Sequence, residues 1–165
     1  MPQLSDTTPA PANQQRDLHQ ASPAGVLPAA DRMRIAAFLA THPNWDGVIC
    51  MPGDATHWAQ ISADEIVSFQ SFLSARLANA MDAETGFDQT ALSDSLSRPD
   101  RIAAHLRSAE VAQQPKAILC HLIGAELAAA KPYWLGQNIA LLGASPLADV
   151  YAQALAAQGL PVERA

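Results

Sequence analysis

Residues 47–58 read Gly-Val-Ile-Cys-Met-Pro-Gly-Asp-Ala-Thr-His-Trp, and no other stretch restricts the fold as much. Val48-Ile49-Cys50-Met51 is apolar throughout, the pattern of a short strand buried on both faces. Pro52-Gly53-Asp54-Ala55 carries turn chemistry, and Thr56 to Ile61 then alternates as a strand does. Ser62-Ala63-Asp64 turns the chain again into Glu65-Ile66-Val67-Ser68-Phe69. Three short strands joined by tight turns predict an antiparallel meander.

Helices are expected on either side of it. Residues 31–42 place apolar side chains at helical spacing, with Asp31 as N-cap and Pro43 as the stop. Residues 69–82 put Phe69, Phe72, Leu73, Leu77, Ala80 and Met81 on one stripe. A polar, weakly patterned stretch follows, then a helix over 99–113 opened by Pro99. Residues 115–131 are apolar nearly all round and predict a buried central helix. Within it, Gly124 allows close helix–sheet packing and His121 reads as a hydrogen-bonded core histidine. Residues 138–142 predict a buried strand, and Gly143-Ala144-Ser145 turns into a helix over 146–158 with Ser145 as N-cap and Pro146 at its first position. Gly159 ends that helix before a last strand at 160–163.

With 49% hydrophobic residues, residues 31–165 are expected to bury one core as a single α/β domain. Residues 1–30 differ: five prolines interrupt an Ala/Gln/Ser-rich stretch, which predicts a disordered or extended tail. A net charge of −6 and the absence of an Arg/Lys stripe argue against nucleic acid as a partner. No apolar run approaches membrane length and no signal-peptide pattern is present, so a cytoplasmic location without membrane contact is expected. Cys50 and Cys120 sit in apolar runs without metal-type spacing and read as buried free thiols. Ser68, Ser71, Ser74 and Ser145 lack the Gly-x-Ser-x-Gly setting of a nucleophile, and no histidine is paired with one in sequence.

The meander, the helices and the closing strand–helix–strand match the ribonuclease-H-like lobe of the actin, sugar-kinase and Hsp70 group. More closely, Asp46-Gly-Val-Ile-Cys-Met-Pro-Gly53, Glu65-Ile-Val-Ser-Phe-Gln-Ser-Phe-Leu-Ser74, Leu122-Ile-Gly-Ala-Glu-Leu127 and Leu141-Leu-Gly143, continuing through Leu147 to Tyr151-Ala-Gln-Ala-Leu155, carry a resemblance. In these motifs the chain resembles the C-terminal lobe of the 2-dehydro-3-deoxygalactonokinase family. That family transfers the γ-phosphate of ATP to a 2-keto-3-deoxy sugar acid in a cleft between two lobes. The resemblance implies phosphate contact at Gly53, Asp54, Thr56 and His57 and adenosine-side contact at Gly143, Ala144 and Ser145. It also brings ATP and magnesium as the implied cofactors.

Three departures change that expectation. The family hairpin reads about Pro-Gly-Thr-His-[Ser/Thr]-Lys-Trp, whereas Asp54, Ala55 and His57 stand here for its Thr, His and Lys. A carboxylate and a mostly neutral imidazole replace a hydroxyl and an ammonium, nearly two charge units less favourable to an anion. Each unit at contact range amounts to about 1 kcal/mol in water and about 4 at an effective dielectric near 20. Asp54 thus reads either as a magnesium ligand or as an acidic turn residue, and His57 as a proton carrier or a surface or strand-edge histidine. Ser74-Ala75-Arg76 also replaces the family's Thr-Gly-Glu, and no Asp-x-Gly-[Ser/Thr] motif of the other lobe occurs. The expectation is a lone, degenerate C-terminal lobe without kinase activity of its own and with no catalytic residue. Its alternatives are a kinase completed by a homodimer or a separate N-terminal-lobe chain, and a self-associating binding module.

Overall fold

The computed structural model describes residues 6–165. Its larger sheet has six strands in the order β2-β7-β6-β5-β8-β9. These are β2 (Ala10–Pro11), β5 (Gly47–Met51), β6 (Thr56–Ser62), β7 (Glu65–Phe72), β8 (Ile139–Leu141) and β9 (Val162–Arg164). β5, β6 and β7 form the expected antiparallel meander, while β8 and β9 add to β5 in parallel. Alternation along β5 divides the core. Val48 and Cys50 face one apolar cluster, Ile49 and Met51 the other. This strand is therefore buried on both sides, as its uninterrupted apolar run predicts.

One face is covered by α1 (Ala29–Thr41) and the N-terminal strands, and the other chiefly by α3 (Gln89–Ser97), α5 (Pro115–Ala129) and α7 (Pro146–Ala156). α2 (Ser74–Ala80), α4 (Ile102–Val111) and α6 (Lys131–Trp134) complete the helices. α5 is the central apolar helix, with ten of its residues buried. Gly124 packs it against α3 rather than against the sheet: a Cβ there would stand 2.4 Å from the Leu92 carbonyl oxygen. α7 is capped by Ser145, whose Oγ accepts from the Ala148 N–H at 3.2 Å, with Pro146 in its first turn.

Four more expectations are corrected. Residues 6–28 are not a mobile tail. β1 (Asp6–Thr7), β3 (Leu18–Ala21) and β4 (Ala24–Leu27) form a second sheet, and β2 pairs with β7. Leu18 and Leu27 are fully buried in the core beside α1. The segment is held by Arg32, whose buried guanidinium pairs with Asp6 at 2.9 Å and donates to the carbonyls of Pro11 and Arg16. Residues 1–5 of the expected tail lie outside the described residues. Asp31 does not cap α1; the helix starts at Ala29, whose N–H donates to Asp17 Oδ1 at 2.8 Å. The helix expected from residue 69 begins at Ser74, because Phe69 to Phe72 continue β7 opposite Thr56 to Ala59. The weakly patterned stretch holds α3, capped by Asp88 through the Ala91 N–H at 3.0 Å.

Gln20 shows how the N-terminal hairpin completes the sheet. Its side-chain amide accepts from the Phe69 N–H at 2.9 Å and donates to the Phe69 carbonyl at 2.7 Å. One side chain thus substitutes for a neighbouring strand at an otherwise open edge. Gln20→Leu leaves both backbone groups buried without partners, an expected loss of about 2 kcal/mol. Urea unfolding checks this, and an unchanged midpoint would contradict it.

Candidate functional site

Because β5 and β8 run parallel, the turns that follow them open at the same edge of the sheet. One turn is Pro52 to Ala55 and the other is Leu142 to Ser145. α1 begins at this edge too, and its first turns reach both. Arg34 donates to Asp31 Oδ1 at 3.0 Å and to the Leu142 carbonyl at 2.8 Å. The other Asp31 oxygen lies 3.7 Å from His57 Nε2. A polar line therefore runs from the hairpin through α1 to the second turn, joining His57 to the Gly143 region.

His57 is more than nine-tenths buried. Its Nδ1 is 2.7 Å from Ser71 Oγ on the neighbouring strand. Burial lowers its pKa, Arg34 adds to the effect, and Asp31 opposes it. At neutral pH the ring is uncharged. No partner for it is visible along the chain, whereas the fold supplies Ser71 as a hydrogen-bond partner and brings Asp31 near. The ring is thus a neutral imidazole held through Nδ1 by Ser71.

Asp54 at the turn is exposed, and its carboxylate is bound by Arg76 of α2 through Nε at 2.8 Å and through Nη2. Those hydrogen bonds hold the Asp54 carboxyl below its usual range. The expected charge deficit of nearly two units is therefore cut to about one: Arg76 offsets Asp54, while His57 stays neutral. Asp54 and Arg76, noted as separate departures in sequence, offset each other in space. Gly53 lies beside Asp54 at the turn.

Thr56 is wholly buried, and its hydroxyl is spent inside the molecule. The Tyr151 hydroxyl donates to Glu126 Oε2 at 2.8 Å, so Thr56 Oγ1, 3.0 Å away, donates to Tyr151. Glu126 is the hub of this network. It also accepts from Trp58 Nε1 at 2.8 Å and from Ser74 Oγ at 2.5 Å. Four elements, β6, α2, α5 and α7, are thus tied beneath the hairpin. Burial pushes the Glu126 carboxyl up to about 7, against its three hydrogen bonds.

At the second turn, Gly143 has φ +144°, a conformation that favours glycine. Its N–H donates to the Ala165 carbonyl at 3.0 Å, and its own carbonyl accepts from Arg164 at 3.2 Å. Ser145 is occupied as the cap of α7, and Ala144 is exposed. This turn is built as a helix start and as the seam with β9.

ATP–magnesium does not fit these residues. Asp54 is committed to Arg76, Thr56 is sealed inside, and His57 carries no charge at neutral pH. No group of three His, Cys, Asp or Glu side chains among the described residues could hold a metal ion. Nor is any helix among them long and apolar enough to cross a membrane.

The sequence reading missed Asp31, Arg34, Ser71 and Glu126 as members of this edge. One signal was present: Asp54 and Arg76 carry opposite charges.

A family model described as 2-keto-3-deoxy-galactonokinase matches residues 30–99 and 100–165. No curated protein matches the sequence. Among solved structures, the fold is similar to the crystal structure of a candidate 2-dehydro-3-deoxygalactonokinase from Sinorhizobium meliloti, with a TM-score of 0.82 and 21% identity. That likeness covers 98% of this chain and 68% of the other. It takes in the N-terminal strands as well as the larger sheet.

Proposed function

Because this chain belongs to the 2-keto-3-deoxy-galactonokinase family, we propose that it is a ribonuclease-H-like C-terminal-lobe unit that does not transfer phosphate by itself. The strand order β7-β6-β5-β8-β9, antiparallel through the first three and parallel thereafter, supports the ribonuclease-H-like reading. One observation carries the functional part. In the hairpin that should hold phosphate, Asp54 is paired with Arg76 of α2 and the Thr56 hydroxyl is buried against Tyr151. Phosphoryl transfer is catalysed by placing phosphates among fixed positive charges and metal, and this hairpin supplies neither.

Calorimetric titration of the purified chain with ATP–magnesium is expected to show no binding tighter than about 1 mM, equivalent to about 4 kcal/mol. ATP-dependent phosphorylation of a 2-keto-3-deoxy sugar acid by the chain alone is expected to be absent. Saturable nucleotide binding in the micromolar range would overturn the proposal.

A second reading is a kinase completed by another copy or another chain. Leu73 and Leu77, one helical turn apart beside Arg76, are 44% and 50% exposed and favour a covered surface there. Sedimentation over a concentration series tests for the second copy. A monomer at every concentration removes the homodimer version.

A further inference from the structure

We propose that α4 is an acid-released flap, latched at neutral pH by a His105–Ser95–His121 bridge. The bridge joins three helices. Ser95 of α3 is fully buried, and its Oγ lies 2.8 Å from His105 Nδ1 on α4 and 2.9 Å from His121 Nδ1 on α5. The two rings are 5.0 Å apart between centroids.

Proton counting makes this bridge sensitive to acid. With both rings neutral, one ring donates Nδ1–H to Ser95 Oγ, and the serine donates its own proton to the bare Nδ1 of the other. A first added proton leaves that chain intact. A second makes both Nδ1 atoms donors, so the buried serine proton has no acceptor between them. Two adjacent cations then repel each other as well.

The surroundings favour opening over tolerance. α4 contributes a single buried residue, Ala109, while Ile102 and Leu106 are only partly covered and Val111 is 65% exposed. A cleft of about 400 Å³ lined by residues of α3, α4 and α5 reaches both histidines, giving water a route to charged rings. The ionisable groups facing the rings are Asp88 and Asp94, both from α3 or its cap; α4 and α5 bring none to this cavity besides the histidines. Both carboxylates raise the His121 pKa, as does the Ala91 carbonyl, but burial first and His105 second lower it. Stability from His121 is therefore fully present above its unfolded pKa of 6.5 and is lost as pH falls below it.

Amide hydrogen exchange of the full chain at pH 7.5 and 5.5, corrected for intrinsic rates, reads the flap directly. Protection over residues 102–111 is expected to fall at least about tenfold at the lower pH while α5 keeps its protection. In His105→Asn, whose amide still reaches Ser95 but does not titrate, the two pH values should give equal protection in α4. In Ser95→Ala, α4 should exchange fast at both. Unchanged protection in the native chain, or an equal fall in His105→Asn, overturns the proposal.

Discussion

Glu126→Leu is expected to destabilise the chain by about 4 kcal/mol, a large share of a typical domain's total stability of about 5–15 kcal/mol. The substitution keeps the apolar volume but removes the acceptor for three buried donors. Tyr151 can turn its hydroxyl toward Thr56, 3.0 Å away, but the Trp58 N–H and Ser74 O–H are left unpaired. Each such orphan costs about 1–3 kcal/mol. Glu126→Gln separates loss of hydrogen bonds from loss of charge. Its oxygen keeps Trp58, and its amide donates to Ser74 and Tyr151 once those hydroxyls turn, so near-native stability is expected near pH 4.5, where the Glu126 carboxyl is protonated in the fold.

The same pair of proteins tests the raised Glu126 pKa. In the unfolded chain the carboxyl ionises near 4.5, whereas in the fold burial holds its proton to about 7. The folded state therefore binds the proton more tightly. This contribution is fully present below pH 4.5 and is lost as pH rises through about 7. About 2.5 pH units at 1.36 kcal/mol each give roughly 3 kcal/mol. In urea titrations, native protein and Glu126→Gln should agree near pH 4.5, and the native chain should fall behind by about that amount at pH 8. Parallel pH curves would show that Glu126 does not titrate in this range.

Legibility in the sequence follows the reach of the signal. β5 and β6 could be read because a wholly apolar run, a Pro-Gly-Asp turn and an alternating run occur side by side. α5 could be read because its apolar residues encircle it, and α7 because Ser145-Pro146 and Gly159 bracket it. The N-terminal strands could not, since two to four residues are too few to show a period. The end of β7 was lost for a different reason: Phe69, Phe72 and Leu73 fit a helical stripe as well as a strand. The site suffered from distance along the chain. Asp54 and Arg76 are 22 residues apart, and Glu126 draws donors from positions up to 68 residues away. Each residue was visible, but their meeting is a product of the sheet's topology.

Gly124→Ala, a single added methyl group, is expected to destabilise the chain by about 3 kcal/mol, the upper part of the overpacking range. In an isolated helix this change would be favourable by about 1 kcal/mol, since alanine is the better helix former. Tertiary contact reverses the sign. The new Cβ would meet the Leu92 carbonyl oxygen at 2.4 Å and the Leu96 nitrogen at 3.0 Å, both backbone atoms of α3 that cannot rotate away. α3 and α5 must therefore separate, and that shift disturbs Leu92, Ile123 and Leu127, all fully buried in the same cluster. It also moves Ser95 relative to His121, which links the packing of this glycine to the three-helix bridge. Thermal and urea unfolding check the magnitude, while amide exchange locates it: protection should fall over residues 89–129 and hold in β5 and β8. A stabilised Gly124→Ala would mean that helix propensity outweighs contact here, and that α3 does not pack against α5 at this spacing.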